Sequence, residues 1–177
     1  MSKKIINNLS YQIIWWVSVF GAIYNFPLAG VYVMIPLLAI HFILIAQDKR
    51  EIYLLIVAAL AGTAMDTVLN IFDIVNYSGT LPFAQWLAPL WITSMWIGFS
   101  MTVNHSLKWL ANKKALGFLL GMIFGPLAYF AGQRYGAVDL YEPTIVPGII
   151  LSLLWGLIIP SLYVVSEKLN LGVNNEV

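Results

Sequence analysis

Asp66, Asn70 and Asp73 stand within apolar sequence at spacings of four and three, so on a helix they share one face. Ala58, Ala59 and Gly62 lie behind them on that face. An acidic residue at the centre of a membrane-crossing helix costs about 2.5–3.5 kcal/mol on insertion scales. One that is retained faces a partner or a water-filled cavity. The chemistry such a stripe offers is cation or proton binding along a pathway, with Asp66 as the binding carboxylate. Arg134 falls at similar depth in a later apolar stretch and is the available counter-charge for Asp66 or Asp73, with Gln133 and Asn25 nearby.

A second polar group belongs to the other end of the same stretches. His41, Asn104, His105 and Ser106 have Glu51 close by in sequence and Glu167 across the bundle. Two histidines at one depth can shuttle protons, bind a metal or ligate a haem. A catalytic zinc site uses about three protein ligands, which here requires Glu51 or Glu167 beside His41 and His105. No HExxH or HxxH spacing is present, and the plainer reading is two interfacial histidines bonded to backbone. Ser106 beside His105 is no triad, because adjacent helical residues point about 100° apart. The chain has no cysteine, which excludes disulfides, thiolate metal sites and thiol nucleophiles. A histidine-box desaturase needs many more histidines than two. Phosphate loops and nucleic-acid motifs are absent, and no cofactor or nucleic-acid partner is expected.

The elements that must position these groups are membrane helices. Of 177 residues, 60% are hydrophobic and 10% charged, with mean hydropathy +0.84; soluble domains run at about 45–50% and about 25%. A spanning helix takes about 20 apolar residues, and six segments qualify: roughly 11–25, 27–46, 52–74, 84–104, 115–136 and 145–165. The first is short, and a re-entrant segment in a five-span chain is the alternative. Lys3 and Lys4 before an apolar run resemble the start of a signal peptide, but no small-x-small cleavage site follows, so the segment reads as a retained helix. With six spans, one side receives Lys3, Lys4, Lys49, Arg50, Lys108, Lys113, Lys114 and Lys168, and the other only Arg134. The positive-inside rule then puts both termini in the cytoplasm. The expected fold is all-α: a single transmembrane domain over 1–177, N-in and C-in, with short loops.

Packing signals accompany the spans. Gly117, Gly121, Gly125, Gly132 and Gly136, with Ala128, form a small-residue track of GxxxG type in the fifth span. Small residues let helix backbones approach closely, so this track is expected to meet the Ala58–Ala59–Gly62 face of the third span or a close neighbour. Trp86 and Trp109 suit the two interfaces, while Trp91, Trp96 and Trp155 read as packing residues. Pro36, Pro89, Pro126, Pro147 and Pro160 each permit a kink.

Three stretches carry a resemblance: Asn104-His105-Ser106-Leu107-Lys108-Trp109-Leu110, Gly125-Pro126-Leu127-Ala128-Tyr129-Phe130-Ala131-Gly132, and Gly62-x-x-x-Asp66 with His41 upstream. The chain resembles, from end to end, an uncharacterised family of small bacterial inner-membrane proteins known as a domain of unknown function. The resemblance implies a multi-pass protein of the bacterial cytoplasmic membrane, and it brings no activity and no catalytic residues. Some members are labelled permease components, and some resemble neighbours of cyclopropane-fatty-acid-synthase-like genes, an association with lipid-chain chemistry.

The leading functional expectation is a transporter-like or permease-like protein in which Asp66, Asn70, Asp73 and Arg134 line an outward polar cavity. Its partners are the bilayer and a second copy, or a further membrane or ATPase subunit. The alternative is a membrane enzyme or accessory factor in lipid modification, using His41, His105 and Glu51, with His41 and His105 as the metal candidates. A structural assembly factor is the third reading. An enzymatic role ranks below a non-enzymatic one.

Overall fold

The computed structural model describes residues 3–171 and is helical. Six α-helices follow in order: α1 Lys3–Ile23, α2 Ala29–Ile40, α3 Glu51–Ile71, α4 Leu90–Val103, α5 Lys114–Tyr135 and α6 Ile145–Lys168. Residues 1–2 and 172–177, which include the two termini expected in the cytoplasm, lie outside the described residues.

By length and composition, α3, α5 and α6 can each cross a membrane, while α2 with its extension to Ile45 and α4 are shorter apolar helices. The outer surface is apolar: Ile43 is 77% exposed, Leu60 69% and Phe124 62%. A surface this apolar is unsuited to water and matches lipid, so the chain is a membrane protein.

Each helix overlaps one predicted segment, and the differences have local causes. α1 begins at Lys3 rather than residue 11, because its early polar groups are satisfied inside the bundle. Buried Asn7 donates through Nδ2 to the Met101 carbonyl at 2.9 Å and accepts from Ser106 Oγ at 2.8 Å. α4 begins at Leu90 rather than residue 84, with Pro89 in extended conformation as its N-cap residue. At about 1.5 Å per residue its fourteen residues rise about 21 Å, less than a hydrocarbon core of about 30 Å. The irregular backbone before it is held by α3: Asn70 Nδ2 donates to the Gln85 carbonyl at 2.7 Å, and the Ala88 N–H donates to Thr67 Oγ1 at 3.1 Å. Non-helical backbone at membrane depth is tolerated where protein satisfies it in this way.

The prolines also divide. Pro36, Pro126 and Pro160 lie inside helices, whereas Pro147 falls in the first turn of α6, where a missing N–H removes no intrahelical bond.

The connections after α3 and α5, expected as short loops, pair as a two-stranded antiparallel ribbon. β1 Val75–Tyr77 faces β2 Val138–Leu140, with Val75 opposite Leu140 and Tyr77 opposite Val138. Val75, Tyr77, Val138 and Leu140 are buried against the bundle.

The helices pair as α5 with α6 and α3 with α4, while α1 lies against α4 and α2. The α3 and α5 small faces, expected to meet each other or a close neighbour, each receive a tryptophan from a neighbouring helix. A Cβ at Gly62 would overlap the Trp96 ring, one at Gly125 the Trp155 ring, and one at Gly121 the Trp155 backbone. Gly117 is looser, with Ile159 Cγ2 at 3.2 Å from a built Cβ. Gly132 faces Val138 at 3.3 Å, and Gly136 faces nothing. Gly136 ends α5 at φ +85°, a left-handed cap in which the Ala137 N–H donates to the Gly132 carbonyl.

Candidate functional site

One end of the bundle gathers the α1 start, the α2 end, the α3 start and the segment after α4. α2 passes into a π-helical turn over His41–Ile45, closed by the Ala46 N–H donating to the His41 carbonyl at 2.8 Å. Single π turns widen a helix and recur at functional sites. Here the turn carries His41, which is fully buried. Glu51 opens α3 and is 3% exposed. His105 follows α4 in the turns before Lys108, its side chain 15% exposed.

These three side chains converge. His105 Nε2 lies 3.0 Å from Glu51 Oε2 and 3.1 Å from Oε1, and His41 Nε2 lies 3.5 Å from Glu51 Oε1. One ligand atom from each residue falls within 4.8 Å of the other two. The imidazoles meet edge to face, with centroids 5.0 Å apart. Both ring nitrogens of His41 are buried without a hydrogen-bond partner, so the Glu51 contact has ion-pair distance but not hydrogen-bond geometry. Four tetrahedral ligands at about 2.1 Å from a zinc ion are about 3.4 Å apart, and the 3.1 and 3.5 Å separations of the two imidazoles from Glu51 Oε1 bracket that spacing.

The cluster opens on a cavity of about 670 Å³ lined by Glu51, His105, Asn104, Lys3, Lys4 and Lys108, among others. Asp48 also lines it, but its carboxylate is bonded to the Arg50 side chain at 2.6 Å, which holds its pKa below the usual carboxylate range. Among the described residues, Lys3, Lys4 and Lys108 are in no ion pair. Glu167, weighed as a ligand beside the histidines, pairs with Lys114 at 2.8 Å. Ser106 is committed to Asn7, and Asn104 accepts from Ser166 Oγ at 2.7 Å.

The outer group is rearranged relative to its linear pattern. Asp66 is fully buried and Asn70 is buried, but α3 ends at Ile71 and Asp73 sits beyond it at φ +54°, exposed. Aspartate tolerates that left-handed conformation better than most residues, and it turns Asp73 off the stripe. Arg134 is exposed and, among the described residues, pairs with neither aspartate. Neutral donors take the place of the expected counter-charge. Tyr77 OH donates to Asp66 Oδ1 at 2.6 Å, Tyr129 OH donates to the same oxygen, and Trp96 Nε1 donates to Oδ2 at 2.6 Å. Burial, and then the Asp66 carboxylate beside it, push the Tyr77 phenol well above its ordinary pKa, so it stays a donor.

Sequence reading missed Tyr77, Tyr129 and Asn7 as partners and took Trp96 for packing alone. Tyr77 lay in a connection expected as a short loop, and Asn7 lay ahead of the expected first span. The usable signal was chemical: an intramembrane aspartate needs donors, and Tyr and Trp are the apolar residues that carry one.

The fold and these clusters define a helical membrane protein with two histidines gathered around a buried glutamate at one end, and a buried aspartate held by neutral donors elsewhere in the bundle. Residues 4–161 match the family described as protein of unknown function (DUF2878), and the chain belongs to that family. No curated protein and no solved structure matches it.

Proposed function

We propose that this protein is a membrane-embedded metalloenzyme whose centre is His41, Glu51 and His105, acting on the phosphate-bearing headgroup of a lipid. The observation that carries the reading is His41: a fully buried imidazole with both nitrogens unpartnered, beside a carboxylate and a second imidazole at ligand spacing. A buried polar group left unpaired costs about 1–3 kcal/mol, and a divalent ion would satisfy it. Two histidines and a glutamate are a zinc-hydrolase ligand set that leaves a coordination position for water or substrate. Such an ion polarises a phosphoryl oxygen and lowers the pKa of bound water, which favours hydrolysis. The three lysines at the mouth suit an anionic substrate. The lysine-rich loops support, under the positive-inside rule, a reading in which this end lies at the cytoplasmic headgroups, with six crossings and both termini inside.

The test is metal content followed by turnover. Purified full-length protein, equilibrated with Zn²⁺ and freed of unbound ion, should retain about one ion per chain. Glu51→Gln and His41→Gln should each lose it while keeping their helical circular dichroism. The zinc-loaded protein in anionic phospholipid vesicles should release headgroup, read by mass spectrometry. Absence of retained ion in the wild type would remove the proposal.

A transporter-like role keeps one supporting observation: Asp66 borders an internal cavity. Its exposed neighbours Asp73 and Arg134 add nothing to that cavity's lining.

A further inference from the structure

A cavity of about 60 Å³ lies among α1, α3, α4, α5 and α6, beside β2. Its wall is aromatic, with Tyr11, Trp15, Trp91, Trp96, Tyr129 and Trp155 among the lining residues. Trp96 and Trp155 stack with centroids 4.8 Å apart and an interplanar angle of 13°, giving the cavity a rigid double ring. Asp66 is the one ionisable carboxylate on its lining, and no lysine, arginine or histidine is part of it. We propose that this cavity binds a small organic cation of the quaternary ammonium class, a ligand separate from any metal at the histidine end.

The chemistry favours that class for three reasons. Aromatic faces attract cations through the ring quadrupole, most strongly when the site is desolvated. Asp66 offers a carboxylate with which an entering cation would pair without a competitor, since its partners Tyr77, Tyr129 and Trp96 are uncharged donors. Those three donors also take three of the carboxylate's four lone-pair positions, leaving a single one on Oδ2. A primary ammonium, with three N–H donors to satisfy, is therefore poorly served, while a quaternary ammonium has none. Size agrees: one water needs about 10–15 Å³ measured this way, so about 60 Å³ takes roughly four to six small non-hydrogen atoms.

The probe is tetramethylammonium chloride, titrated into full-length protein in detergent and followed by tryptophan fluorescence, with sodium chloride as the ionic-strength control. Saturable binding is expected, and the neutral isostere tert-butanol should bind at least tenfold more weakly. Asp66→Asn should weaken tetramethylammonium binding at least tenfold. Trp15→Leu, at a lining residue outside the Asp66 hydrogen bonds, should weaken it several-fold with Asp66 untouched. If Asp66→Asn does not fold, the isostere comparison on the wild type and the Trp15 variant still decide. Failure of tetramethylammonium to saturate, equal binding of the isostere, or indifference to Trp15→Leu would each overturn the proposal. The metal measurement is unaffected by any of these outcomes.

Discussion

Tyr77→Phe isolates what the outer ribbon contributes to the bundle. The change removes one hydroxyl and keeps the ring, so packing against Trp91, with centroids 6.0 Å apart, is preserved. What is lost is a 2.6 Å bond to a fully buried carboxylate. A hydrogen bond to a charged group contributes about 1.5–3 kcal/mol. For a chain of this length, 1 kcal/mol shifts a melting temperature by about 2–4 °C, so the variant should melt about 3–12 °C lower. Tyr129→Phe should cost a similar amount, because its hydroxyl donates to the same oxygen. The double variant leaves Oδ1 with neither tyrosine donor, and groups sharing one acceptor couple. Its loss should exceed the sum of the single losses by about 0.5 kcal/mol or more. The assay is thermal unfolding of the detergent-solubilised chain followed by circular dichroism, with Tyr24→Phe as control, since Tyr24 is 76% exposed. If Tyr77→Phe melts with the wild type, Asp66 is not held by the ribbon and the reasoning fails.

Three further outcomes follow from the packing and the charges. Gly121→Ala should destabilise by about 1–3 kcal/mol or more, because its Cβ meets Trp155 backbone, whereas Gly117→Ala should be near neutral against a side-chain methyl that can shift; melting temperatures of the pair compare them. Lys114→Ala should change stability by less than about 1 kcal/mol, since its ion pair with Glu167 is half exposed on both sides; the same assay reads it. Reporter fusions after Gly79 and Glu142 should report outside and fusions after Arg50 and Lys113 inside, and a mixed pattern would contradict six crossings.

The helices were legible because apolar length is written directly in the chain. The boundaries were less so, because tertiary bonds decide them. Asn7 extends α1 through bonds to residues some ninety positions away, and Asn70 with Thr67 lets α4 start late. Asp66 announced itself through its insertion cost, but its partners did not, since a tyrosine in a ribbon and a tryptophan on the next helix have no sequence spacing to the aspartate. His41 and His105 were legible as residues at one depth, with Glu51 close by in sequence. Their convergence was not, because it depends on a π turn that periodicity does not encode. Which neighbour each small face meets was not legible for a similar reason: a small-residue face accepts any close neighbour, and here tryptophans fill both faces.

The most direct test of the central claim is X-ray absorption at the zinc edge on the zinc-loaded full-length protein. The account predicts a first shell of nitrogen and oxygen at about 2.0–2.2 Å, with multiple scattering from two imidazoles. It predicts one imidazole in His41→Gln and in His105→Gln, wherever residual metal remains. A shell of oxygen alone, or a histidine count unchanged by either substitution, would contradict it.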